Sequence, residues 1–182
     1  MDVLDNYKVN LNDLQAGVAE YRFELDDAFF ETVKGTLVNG GHVSVTLHAE
    51  RERGAYAFTF HIKGVVRVPC DRCLDDMEVA VDSENVLDVK LGEEYVDDGD
   101  VIVLPKDSPV FNVAWNIYEF VALAVPVVHV HDEGQCNVEM AKTLAEHMVD
   151  SPMEKGESES GGQEIDPRWS ELKKIIVDNN IK

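Results

Sequence analysis

Between Val43 and Ile62 the chain alternates apolar and polar residues with a period of two, and this restricts the fold more than any other feature. Val43, Val45, Leu47 and Ala49 stand against Ser44, Thr46 and His48. After Gly54, Tyr56, Phe58, Phe60 and Ile62 share one side against Thr59, His61 and Lys63. Successive side chains of a strand point to opposite faces, so the two runs predict a half-buried β-hairpin. The second strand is expected to continue through Gly64, read as a bulge, to Val68, where Pro69 stops it. Val18 to Leu25 predicts a preceding strand, and Asp26-Asp27 a helix start for Ala28, Phe29 and Phe30. Two more strands are expected over Met77–Val81 and Val86–Leu91, and a short one over Val101–Leu104. The acidic run 93–100 lacks the spacing of a calcium loop and reads as solvated.

Helical spacing replaces the period of two after Asn112. Val113, Ile117, Phe120, Val121 and Ala124 form one apolar face, Asn112 is the expected N-cap, and Pro126 lies beyond the end. Asn137 reads as the cap of another helix, through Met140, Leu144 and Met148. Residues 150–165 are polar, non-periodic and rich in Gly, Ser and Glu, as in a flexible linker. Asp166-Pro167 then opens a short helix with a Trp169, Leu172, Ile176 stripe, which needs a docking surface to be stable. The expected class is α+β. An antiparallel β-sheet, its curvature left open as far as a barrel, carries one main amphipathic helix and a tethered C-terminal helix. The boundaries read as a core domain over 1–149, an acidic linker over 150–165 and the helix over 166–182.

Charge narrows the partners. The 182 residues hold 16 Lys and Arg against 36 Asp and Glu, a net −20. Nucleic-acid binding draws on a basic footprint and released counterions. Here Arg51, Arg53, Lys63 and Arg67 are spread over two strands, and Lys173-Lys174 is short. Such a chain repels phosphate and attracts basic proteins, although the same charge also serves plain solubility. The first ten residues lack the pattern of a signal peptide. The apolar stretch 120–130 is too short to span a bilayer and is broken by a proline and a histidine. With three cysteines, an odd number, these features predict a protein of the reducing cytoplasm, without membrane or DNA partners.

The cysteines are grouped. Cys70-Asp71-Arg72-Cys73 is a chelating pair at the end of a strand, and Cys136 follows His129 and His131 in the loop after the amphipathic helix. Structural zinc takes four thiolate or imidazole ligands. Cys70, Cys73, His131 and Cys136 supply such a set, with His129 as a competing ligand or a brace. The plain alternative, a reduced thiol pair with Cys136 and the histidines elsewhere, stands beside it on equal terms. A redox role fits less well, because the pair precedes acidic residues and a strand rather than opening a helix. No GxSxG, HExxH, P-loop or GxGxxG pattern occurs, and His42, His48 and His61 fall on polar strand faces. No catalytic residue is assigned.

Three segments together, VPCDRCLDDMEV, EFVALAVPVVHVHDEGQC and DPRWSELKKI, resemble the YceD family of large ribosomal RNA subunit accumulation proteins. The resemblance runs from about Tyr56 to the C-terminus. It implies a non-enzymatic cytoplasmic factor supporting 23S rRNA accumulation and large-subunit biogenesis. It carries over Cys70 and Cys73, His131 and Cys136, and the tail residues Asp166, Pro167, Arg168 and Trp169 as an interaction motif. Joined to the acidic charge, it points to a basic ribosomal protein or another assembly factor on a large-subunit precursor, with direct rRNA contact less favoured. The alternative is a zinc-binding or thiol-dependent protein acting in RNA processing or redox chemistry.

Overall fold

The computed structural model describes residues 3–52, 54–99 and 101–148. The expected linker, the tail helix and the motif Asp166, Pro167, Arg168, Trp169 lie outside them. The strands are β1 (Lys8–Asn10), β2 (Val18–Leu25), β3 (Gly40–Glu52), β4 (Ala55–Pro69), β5 (Asp76–Gly92), β6 (Val96–Asp97), β7 (Val101–Pro105) and β8 (Val110–Asn112). Three α-helices accompany them among the described residues: α1 (Asp27–Val33), α2 (Ala114–Ala124) and α3 (Val138–His147).

The class is α+β, but the sheet is mixed rather than antiparallel. Its order is β2-β3-β4-β5-β7-β6. Every neighbour pair is antiparallel except β5 and β7, which run parallel from Asp88↔Val101 to Gly92↔Pro105. After β5 the chain passes outward to the two-residue β6 and returns inside it as β7, so β7 enters beside β5 in the same direction. The sheet is open, with β2 and β6 at its edges, and no barrel or strong curl forms among the described residues. A separate pair, β1 with β8, was not anticipated.

The expected hairpin is present in one unbroken register, with Val45 opposite Ile62 and Leu47 opposite Phe60. Gly64 is not a bulge: it pairs with Val43 on one side and Val81 on the other. A Cβ there would meet the His42 carbonyl oxygen and Val43 Cα, so glycine permits a close backbone approach. The two strands read over 77–81 and 86–91 are one, because β4 offers pairing partners all along 76–90. The polar pair Ser83 and Asn85 that interrupts the apolar series is bonded to itself, Asn85 Nδ2 donating to Ser83 Oγ at 3.1 Å.

One face of the sheet carries the core. Val45, Leu47, Phe58, Phe60, Ile62, Leu87 and Val89 are fully or nearly fully buried beneath α1 and α2. Asp26 caps α1 by accepting the Phe29 N–H at 3.0 Å, which places Phe29 and Phe30 in the core. Helix α2 buries Ile117 and Val121, and Phe120 meets Phe60 with ring centroids 5.2 Å apart. Its N-cap is Val113 rather than Asn112. Asn112 sits one position earlier, where Oδ1 accepts the Ala114 N–H and Nδ2 donates to the Leu4 carbonyl. The helix ends at Ala124, as the proline at 126 predicts.

Candidate metal centre

The β4–β5 connection builds the first half of the site. Pro69 closes β4, and the chain reverses over Cys70–Asp75. Cys70 N–H donates to the Asp75 carbonyl, and Leu74 N–H to the Cys70 carbonyl, both at 2.9 Å. The reversal needs a left-handed residue, and Leu74 takes it with φ 65°. This tight turn folds both thiols inward: Cys70 is 0% exposed and Cys73 2%.

The second half comes from the loop after α2, which is laid across the turn by a reciprocal pair of bonds, one of them to a side chain. Asp71 N–H donates to the His129 carbonyl at 3.0 Å, and His129 N–H to Asp71 Oδ2 at 2.8 Å. His131 N–H points at Cys70 Sγ at 3.4 Å. Farther along, Asn137 Nδ2 donates to Asp75 Oδ2 at 3.2 Å, while its Oδ1 caps α3 by accepting from Glu139 and Met140. The four groups expected from the sequence therefore converge. One ligand atom from each of Cys70, Cys73, His131 and Cys136 lies within 4.8 Å of all the others. Cys73 Sγ and His131 Nδ1 are 3.4 Å apart.

His129 is not among them. Its ring is buried, Nδ1 meets the Pro126 carbonyl at 2.9 Å, and Nε2 faces Asp71 Oδ1 at 3.6 Å. It braces the loop that carries His131. Asp71, Asp75 and Asn137 were missed by sequence reasoning, and only their closeness to the cysteines hinted at them. His42, His48 and His61 each face a glutamate on the outer sheet surface, away from this cluster.

The electrostatics favour a cation. Burial works against ionising Cys70, but N–H groups of His131, Arg72 and Cys73, with the Cys73 thiol, outweigh it and bring Cys70 to about 6. Burial, then the Cys73 and Cys70 sulfurs, push Cys136 upward. The contact with Cys73 raises His131, with burial opposing. Three sulfurs and an imidazole crowded together repel once deprotonated, and a divalent cation removes that repulsion. A tetrahedral zinc with metal–sulfur bonds of about 2.3 Å needs ligand edges of roughly 4 Å, a small adjustment from the separations here. The donor set could hold a metal such as zinc.

The comparison with known families matches residues 58–176 to the family described as Large ribosomal RNA subunit accumulation protein YceD. The chain belongs to the YceD family. The match takes in the whole metal cluster and more than half of the sequence. No curated protein and no solved structure matches the chain. Membership of the YceD family implies a role in large ribosomal subunit RNA accumulation, and the family is one of assembly factors rather than known enzymes. No helix among the described residues is long and apolar enough to cross a membrane.

Proposed function

We propose that this YceD-family chain is a non-enzymatic, cytoplasmic factor of large-subunit assembly that supports 23S rRNA accumulation by engaging a basic ribosomal protein or a second assembly factor. A structural zinc held by Cys70, Cys73, His131 and Cys136 clamps its loops. The observation that carries the partner's chemistry is the net −20 on a member of an RNA-accumulation family. Ribosomal RNA is itself a polyanion, so direct binding would work against the mean field of this chain, whereas a cationic protein is drawn to it. The buried thiols support ligation over thiol chemistry: a nucleophile or redox cysteine must meet its substrate, and Cys70 and Cys73 are sealed. The tail residues Asp166, Pro167, Arg168 and Trp169 are the proposed second contact.

The test is binding of the purified chain to proteins stripped from large ribosomal subunits, and separately to naked 23S transcript. Binding to basic proteins that survives RNase and weakens with salt is the expected result. Tight association with the bare transcript at physiological ionic strength, with none to the proteins, would overturn the proposal.

A further inference from the structure

Apolar side chains next to the residues of the candidate metal centre are left in solvent. Leu74, next to Cys73, is 67% exposed, Val127 96% and Val128 72%, directly before His129, and Val138 80%, directly after Asn137. Leu123 on the last turn of α2 and Met140 and Leu144 on α3 are exposed as well. The turn of Leu74, the loop of Val127 and Val128 and the start of α3 meet: Asp71 bonds His129, Asp75 bonds Asn137, and Cys73 touches His131. The turn, the loop after α2 and the start of α3 thus carry exposed apolar residues within a few positions of residues that contact one another at the cluster. None of the residues of α3 is buried, so this helix presents its Met140–Leu144 stripe without a partner among the described residues.

The charge around this apolar surface has one dominant sign. Asp71, Asp75, Asp76, Asp132, Glu133, Glu139 and Glu146 are exposed, against the cations Arg72 and Lys142. Apolar patches rimmed by charge mark interaction surfaces, and the rim selects the occupant. An anionic lipid surface or a nucleic acid meets repulsion, and a neutral apolar peptide leaves the carboxylates unused. A cationic segment with interleaved apolar residues satisfies both.

We infer that the surface around the metal centre, Leu74, Val127, Val128, Val138, Met140 and Leu144 within its carboxylate rim, is the docking site for a Lys/Arg-rich amphipathic protein segment. The metal then serves to display this surface rather than to perform chemistry. The inference rests on the proposal of a basic protein partner and adds its location on the molecule.

Photo-crosslinking separates the two claims. A benzophenone amino acid is placed at Leu74, Val128 or Leu144, and at Val65 or Val86 on the outer sheet face as controls, in full-length protein whose metal content is unchanged. The probe is the mixture of proteins released from large subunits by lithium chloride. Crosslinks to basic proteins from the first three positions, about tenfold above the controls, are expected, as is a comparable loss of binding in Val128→Lys. Crosslinks mainly from Val65 and Val86 overturn the location and leave the basic partner standing. Absence of binding at every position overturns both. A patch crosslink to residues 149–182 of the same chain that persists in excess probe overturns the inference, because the surface is then covered in cis. A patch crosslink to 23S RNA in preference to protein overturns it as well.

Discussion

Removing the proposed zinc should release one loop and leave the sheet intact. Positions 126–137 bury little, since 126–128 and 132–135 are exposed and His129 is the one buried side chain. Ordering twelve backbone positions costs roughly 12–24 kcal/mol. Against this stand the bonds Asp71–His129, His129–Asp71, His129–Pro126, His131–Cys70, Cys73–His131, Gln135–Asp132 and Asn137–Asp75. At about 0.5–1.5 kcal/mol apiece they return roughly 4–10 kcal/mol. The shortfall is on the order of 10 kcal/mol, the scale on which a structural zinc site contributes, roughly 10–16 kcal/mol. The sheet needs no such help, because the residues beneath α1 and α2 are buried independently of the loop. Hydrogen-exchange mass spectrometry on the full chain, with and without a strong chelator, reads both parts. After chelation, amides over 126–137 should exchange at rates near those of unstructured chain while those of 43–49 and 58–62 keep their protection. Unchanged protection of 126–137 in protein shown by native mass to be metal-free would refute the reasoning.

His129→Ala should retain one metal per chain but weaken its binding about tenfold, since the ring braces the ligand loop without touching the ion. Cys73→Ser should lose the metal, and competition with a fluorescent zinc chelator distinguishes the two. Asp27 is held below the ordinary carboxylate range by the Gly41 N–H, then by the Arg67 guanidinium, with burial opposing. A depressed folded pKa gives stability that is present above the unfolded value and lost as pH falls through the folded one, so Asp27→Asn should destabilise at neutral pH and converge on the parent as the pH falls into the acid range in urea titrations. Burial first, then Asp26 and Glu24, push the Tyr7 phenol up to about 12. Its contribution is complete below an unfolded value of about 10 and disappears as pH rises toward the folded one, so Tyr7→Phe should flatten the alkaline loss of melting temperature.

The elements that follow a strict period were legible in advance. β2 spans Val18–Leu25 as read, and the β3–β4 hairpin and the apolar face of α2 repeat the alternations of the chain. What escaped depends on neighbours rather than on local pattern. Ser83 and Asn85 break the apolar series, yet β5 continues because β4 pairs with it throughout. The parallel β5–β7 pair follows from a two-residue strand inside an acidic run, where no periodicity exists to be read. Likewise the cysteine spacing and the His131–Cys136 loop marked the four residues that cluster, whereas the bracing position of His129 depends on the Pro126 carbonyl and Asp71 being in place.

The four clustered residues enter the chain in two distant pairs, one at the β4–β5 turn and one beyond α2. During synthesis Cys70 and Cys73 emerge with their hairpin long before His131 and Cys136, so half a chelate can wait on a strand pair already forming. The cluster is complete only once α2 lies on the sheet, so a metal bound by all four groups would be captured late, after the layers beneath it.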